Sequence, residues 1–273
     1  MKKTILITGS SSGIGKETAL YFSKKDWHVM ATMRNPDKRK TGLEQVKGID
    51  IYHLDVTDIQ SIQQVIKEGV EKYEKIDVCV NNAGYPVFGP FEASTHLIVE
   101  KQFNTNVLGL MDVIREILPV FRKQGDGIII NVSSIAGKMT FPFYSIYNST
   151  KWAVEGFSEA MQYELKPLNI KVKLIEPGII KTDFYDRSKE VMTKKGLTSY
   201  APLIKKLIAY EEKNMARNQY SHPVVIAKEI YKASTDDSWK LRYPIGKYSG
   251  SILWLRKILP DSLFFGLLRR ITL

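Results

Sequence analysis

The sequence predicts an α/β fold: a doubly wound parallel sheet flanked by helices, in a single domain. Three observations carry that prediction. Short apolar, β-branched runs recur from the first residues onward. Between them lie segments whose apolar residues repeat at three- and four-residue spacing, the mark of an amphipathic helix. No linker or internal repeat breaks the alternation, and strands joined through helices by right-handed crossovers lie parallel.

Each element has its own grounds. Residues 3–8 read as the first strand, and a helix over 15–25 follows with Ala19, Leu20 and Phe22 on one face. Residues 28–33 and 49–54 read as the second and third strands. A helix over 58–73 then places Ile59, Ile62, Val65, Ile66 and Val70 at helical spacing. Residues 76–80 make a fourth strand, 100–123 one long helix, and 127–132 a fifth strand. A helix over 147–165 and a sixth strand over 170–175 complete the pattern. In such a sheet a ligand sits beyond the carboxyl ends of the strands, near the switch in strand order. The polar and glycine-rich stretches fall there: residues 8–15, Asp55, 81–84, Asn106, 133–134 and 177–182.

Composition narrows the function classes. The chain has 273 residues, 44% hydrophobic and 25% charged, an ordinary globular balance that excludes a disordered scaffold. Cys79 is the single cysteine, so neither a disulfide framework nor a thiolate zinc cluster can form. The four histidines lack ligand spacing, and no metal site is expected. Of the net charge of +11, more than half sits from residue 240 onward, where seven basic residues face the single acid Asp261. No nucleic-acid module accompanies these charges, so a nucleic-acid partner is not expected. The apolar run at the start ends at Thr8-Gly9 without a cleavage site, so a buried strand explains it better than a signal peptide. No apolar stretch reaches the length of about 18 residues that spanning a bilayer needs. A cytoplasmic protein is the expectation.

The first strand runs into Thr8-Gly9-Ser10-Ser11-Ser12-Gly13-Ile14-Gly15 and then a helix. Glycines let the backbone approach a phosphate, and a helix N-terminus offers N–H groups and a positive dipole. A plain turn would look similar in isolation. Asp55 ends the third strand and either accepts a hydrogen bond from an adenine amine or caps the following helix. Asn81-Asn82-Ala83-Gly84 ends the fourth strand in small residues that let the chain pass a ligand, or simply turn. At the end of the second strand, where an NAD site places an acid, stands Arg34. Its planar fork suits a 2′-phosphate, against the alternative of a solvated side chain.

Tyr147 and Lys151 lie one helical turn apart and share a face. A phenol titrates near about 10, and a neighbouring cation lowers that value, making Tyr147 a usable acid or base for a carbonyl/alcohol pair. Ser134, at the end of the fifth strand, can donate to the same substrate oxygen. Ser133, next to it, competes for that role.

With these six motifs in this order, the sequence resembles the short-chain dehydrogenase/reductase family in its compact single-domain form, over about residues 3–250. The resemblance implies a Rossmann-like fold and an oxidoreductase that interconverts a carbonyl and an alcohol with NADP(H) preferred and NAD(H) possible. It implies Tyr147 as general acid/base and Ser134 as the group that orients the carbonyl. Lys151 would lower the tyrosine pKa and hold the nicotinamide ribose, while Asn106 would bind a water linking Lys151 to solvent. Cofactor contacts are implied at Gly9, Ser11, Ser12, Gly13, Ile14 and Gly15, at Asp55 and Val56, and at Asn82, Ala83 and Gly84. Pro177, Gly178, Ile180 and Thr182 would frame the nicotinamide carboxamide, and two or four copies would associate through the helices around 100–123 and 147–165. A non-catalytic dinucleotide sensor on the same fold is the alternative. An extended sugar-nucleotide epimerase would need a larger domain after the sixth strand.

For the substrate wall the sequence offers Met139, Phe141, Phe143 and Tyr144, with Tyr85 and Phe88 adding to it and residues 184–220 as a lid. Phe141 and Tyr144 join Ser134 and Tyr147 as the expected substrate contacts. That lining suits a bulky hydrophobic carbonyl or alcohol. The tail over 251–273, read as part of the domain over 1–250, mixes large apolar residues with Arg256, Lys257, Arg269 and Arg270. It suits packing over the pocket or on another subunit first, and peripheral contact with an anionic membrane second.

Overall fold

The computed structural model describes residues 2–38, 40–181, 189–217 and 219–273. Seven parallel strands form the central sheet: β1 (Thr4–Ile7), β2 (His28–Met33), β3 (Ile49–His53), β4 (Val78–Asn81), β6 (Gly127–Val132), β7 (Ile170–Pro177) and β9 (Arg242–Ile245). Their order is β3-β2-β1-β4-β6-β7-β9, and every neighbouring pair is parallel. The order reverses between β1 and β4, and that places the ligand crevice there. Two short strands, β5 (Val87–Phe88) and β8 (Glu190–Val191), pair with each other beside the main sheet.

Successive side chains along a strand point to opposite faces, and here each face has its own core. Ile5 and Ile7 of β1, with Val78 and Val80 of β4, pack against α1 (Gly13–Ser23) and α7 (Pro223–Thr235) through Phe22, Ile226 and Ile230. Leu6 and Cys79 face the other way. They meet α2 (Ile59–Tyr73), α4 (Gly109–Gln124) and α5 (Ser145–Leu165) through Ile62, Val113 and Val154. Burial on both faces is what lets these strands be apolar throughout.

One expectation is corrected. The region over 100–123 is not one helix. α3 (His96–Phe103) and α4 are joined by a π-helical turn over Asn104–Leu108. A π-turn inserts a residue into the helical ladder, and apolar spacing does not betray it. The chain after β7 adds α6 (Ala201–Ala216), α7 and β9, and the tail forms α8 (Ser249–Ile258) and α9 (Asp261–Thr272).

Candidate active site

A cleft of about 790 Å³ opens at the carboxyl ends of the strands. Its end beside the loop between β1 and α1 is made of backbone. Gly9 and Gly13 adopt φ values of 71° and 56°, the left-handed region that side chains disfavour. Gly15 sits beneath the loop, where an added Cβ would lie 2.3 Å from the Gly9 carbonyl oxygen and 2.6 Å from the Asn82 amide nitrogen. A clamp fixes this arrangement. Asn82 Nδ2 donates to the carbonyls of Thr8 (2.9 Å) and Gly9 (3.0 Å), while Thr8 Oγ1 accepts the N–H groups of Asn82 and Ala83 at 3.0 Å each. The N-cap Ser12 makes no side-chain cap bond, and no acid stands in the first turn of α1. The free N–H groups and dipole of that turn therefore favour an anion.

Ser11, Ser12, Ile14, Arg34, Asp55, Val56, Ala83 and Gly84 line the same cleft. Arg34 is exposed at the end of β2 and pairs with no described carboxylate. Asp55 is not the helix cap. Asp58 fills that position by accepting the Gln60 N–H at 3.0 Å, and Asp55 Oδ1 accepts from the N–H and hydroxyl of Thr57 at 2.9 and 2.8 Å. A glycine cradle that a Cβ would fill, an uncapped helix start and a cation beyond β2 fit a dinucleotide phosphate backbone.

At the other end stand Ser134, Tyr147 and Lys151. Strand β6 delivers Ser134 and the first turns of α5 deliver the other two. The Tyr147 phenol is hydrogen-bonded to Ser134, whose Oγ also accepts the Ala136 N–H at 3.1 Å. Lys151 Nζ lies 5.8 Å from the centre of the Tyr147 ring and donates to the Val132 carbonyl at 2.8 Å. Burial pushes the phenol above its ordinary range, and the Ser134 bond pulls it partly back. Burial also lowers the Lys151 ammonium to about 8, opposed by the charge of Glu155. The sequence expectation of a phenol lowered by Lys151 is therefore corrected for this state: desolvation outweighs a cation turned toward a backbone carbonyl.

Pro177, Gly178 and Ile180 line the cleft beside this row, whereas Thr182 and residues 184–188 lie outside the described residues. Asn106 is placed differently from expectation. It is buried in the π-turn, absent from the cleft wall, and spends its amide on the Tyr85 backbone (3.0 and 3.1 Å) and on Thr150 Oγ1 (3.2 Å). Its neighbours Asn104 and Thr105 reach the cleft instead.

Phe141 and Tyr144 do not line the cleft either. They belong to an aromatic block behind Tyr147 that also holds Phe88, Phe143, Leu207 of α6 and the terminal Leu273. The Tyr144 ring lies 5.0 Å from Phe88 and 6.3 Å from Tyr147, and its hydroxyl donates to Glu211 Oε1 at 3.3 Å. Burial raises the Glu211 carboxyl. The described part of the expected lid holds β8, which pairs with β5, and α6, which packs on this block. Sequence reasoning missed Lys101, Lys189 and Glu190 at the cleft mouth. It also missed the buried relay from Asn81 through Asn131 to Ser158, with bonds of 2.9 and 2.8 Å.

A parallel sheet with a phosphate cradle at its switch point and a Ser-Tyr-Lys row beside it defines a nicotinamide-dependent oxidoreductase. The short chain dehydrogenase family matches residues 3–192, and the chain belongs to that short-chain dehydrogenase/reductase family. It is similar to the Bacillus subtilis oxidoreductase YusZ, 38% identical over 98% of both chains. The 3-ketodihydrosphingosine reductase of Bacteroides thetaiotaomicron is 40% identical over 67% of this chain and 65% of its own. Among solved structures, a short-chain dehydrogenase from Streptomyces avermitilis superposes with a TM-score of 0.82 at 29% identity, covering 97% and 94% of the two chains. ElxO with NADP bound superposes at 0.73 and 32% identity over 89% and 95%. The chain is a NAD(P)-dependent dehydrogenase/reductase.

Proposed function

We propose that the chain is an NADP(H)-preferring enzyme that interconverts a bulky hydrophobic carbonyl compound and its alcohol, with Tyr147 as the general acid/base. The observation that carries this reading is the Ser134–Tyr147–Lys151 row at the inner end of the cleft. Ser134 donates to the substrate oxygen and holds the carbonyl against the phenol. Tyr147 hands its proton to that oxygen in reduction and takes it back in oxidation. Lys151 sits close enough to stabilise the phenolate that reduction leaves and oxidation starts from, and its value of about 8 lets it exchange protons near neutrality. The nicotinamide, when bound, supplies the hydride. Asn106 acts as a positioning residue that ties the Tyr85 loop to α5 through Thr150.

Arg34 favours a 2′-phosphate, and the NADP bound by ElxO supports that choice by likeness. The aromatic block behind Tyr147 and the lipid-related name of the Bacteroides relative support an apolar substrate. We further propose a cytoplasmic homodimer or homotetramer joined through α4 and α5, where Trp152 and Tyr163 are exposed. Residues 1–250 make the catalytic domain, with 251–273 part of it. The substrate reaches the cleft from water or from a membrane touched by the tail.

Calorimetric titration with NADPH and with NADH tests the cofactor choice. Tighter NADPH binding is expected. A charge-assisted contact contributes about 1.5–3 kcal/mol, so Arg34→Ala should weaken NADPH about ten- to a hundredfold and leave NADH unchanged. Equal binding of both cofactors by the unaltered chain would overturn the preference.

A further inference from the structure

The last two helices are anchored on one side only. Phe264 and Thr272 of α9 are buried, and Leu273 packs on the aromatic block behind Tyr147. Apolar side chains stand exposed to either side of that buried edge. Trp254 and Leu263 are each 61% exposed, and Ile258, Phe265, Leu267 and Ile271 are exposed with them. Isolated exposed apolar residues are common, but six on one helical pair are not isolated. Cations flank them: Arg256, Lys257, Arg269 and Arg270, against Asp261, which Arg256 already neutralises.

We propose that this face of α8 and α9 docks on an anionic lipid surface, with both helices lying in the interfacial plane. Apolar side chains backed by a basic rim are what such a surface recognises, and tryptophan favours the headgroup level. Among the described residues no helix is long and apolar enough to cross a bilayer, so the contact is peripheral. Charge decides against a second copy as the occupant. A two-fold interface would set the same patch against itself, bringing Lys257, Arg269 and Arg270 toward their own counterparts. Anionic headgroups neutralise them instead. The geometry also links the surface to the chemistry, because α9 ends in Leu273 on the block that backs Tyr147. A substrate dissolved in lipid would then meet the protein on its pocket side. That last step rests on the apolar-substrate reading, whereas the docking itself does not.

The test is flotation of the full chain with phosphatidylcholine vesicles and with vesicles containing equal parts of phosphatidylcholine and phosphatidylglycerol. Binding to the mixed vesicles, weakened by salt, is expected. Each basic residue at a charged membrane is worth about fivefold in partitioning, so the triple variant Lys257→Gln, Arg269→Gln, Arg270→Gln should lose about a hundredfold. The double variant Trp254→Ser, Leu263→Ser should lose binding to the mixed vesicles. Both variants should keep the parent melting temperature and NADPH affinity. Parent protein that stays in solution with mixed vesicles overturns the proposal, as does a double variant that floats like the parent. A lipid-free dimer that the double variant dissolves, seen by sedimentation, assigns the face to a second copy and also overturns it. A chain that floats yet reduces no hydrophobic carbonyl refutes the substrate reading alone.

Discussion

The two ends of the cleft are built by different means. The nucleotide end is backbone: Gly9 and Gly13 in the left-handed region, Gly15 packed against a carbonyl, and the Thr8–Asn82 clamp between two adjacent strands. Behind the other end lies a block of side chains drawn from distant parts of the chain, with Phe88, Phe141, Tyr144, Leu207 and Leu273 meeting only in the folded state. The first design leaves little room for variation because a single methyl group would collide. The second tolerates exchange so long as volume is conserved, and this lets one fold serve many substrates. Ser134, Tyr147 and Lys151 form the seam between the two.

Substitution at that seam should give the largest effect. Removing a positioned proton donor costs about 10²–10⁴-fold in rate, so Tyr147→Phe should lose turnover by that factor while NADPH affinity stays near its original value. Steady-state kinetics and a fluorescence titration of NADPH separate the two quantities. Full activity in the variant would remove Tyr147 from the chemistry and break the division of labour proposed here.

The other side of the seam is tested by pH. Lys151 falls from 10.5 in the unfolded chain to about 8 in the fold because burial disfavours its charge. Between those values the unfolded chain holds more protons than the folded one, so stability rises with pH across this window; below about 8 the penalty is constant. The shift corresponds to about 3 kcal/mol. Urea unfolding of the parent and of Lys151→Met should therefore show their difference moving in the parent's favour by about that amount from pH 8 to 10.5. A difference independent of pH would mean that Lys151 keeps its ordinary proton affinity in the fold.

What was legible in the sequence follows the same division. The main-sheet strands before residue 133, the glycine loop and the Tyr147–Lys151 pair are local patterns, and each lies close to where its spacing placed it. Asn106 was found as a residue but not in its position, because the π-turn over Asn104–Leu108 turns its amide to the Tyr85 backbone. Phe141 and Tyr144 were read as pocket wall, yet their partners come from α6 and the chain end, and no local period announces such contacts. Strand β9 was also unread. It is short, and its Arg242 is held by Glu155 and Glu159 of α5 and Glu176 of β7, a pairing visible only after folding.

The nucleotide end can be strained by one methyl group. Gly15→Ala sets a Cβ against the Gly9 carbonyl and the Asn82 amide, and overpacking of that kind costs about 1–3 kcal/mol. Weaker NADPH binding should accompany the loss, since the clamp must shift. Gly250→Ala is the matched control. It lies in α8 with nothing within 4 Å of the added atom, so a gain of about 0.5–1 kcal/mol is expected. Equal effects at the two sites, read by urea unfolding, would show that the loop yields more easily than its contacts imply.

The smallest effect sharpens the comparison most, because it should fall on one end alone. Tyr144→Phe keeps the ring contacts with Phe88 and Tyr147 and deletes the hydroxyl that donates to Glu211. A single hydrogen bond of this kind contributes about 1 kcal/mol. Glu211, already raised by burial, loses a partner that stabilises its charged form and should rise further. Because α6 carries Glu211 and packs on the block behind Tyr147, the loss should appear as a severalfold change in KM for a bulky carbonyl. NADPH affinity should not move, since Phe88, Tyr147 and Glu211, the partners named for Tyr144, lie off the glycine loop. A shift in NADPH affinity as large as the shift in KM would mean that the aromatic block and the phosphate cradle respond as one unit, and the separation of the two ends would fail.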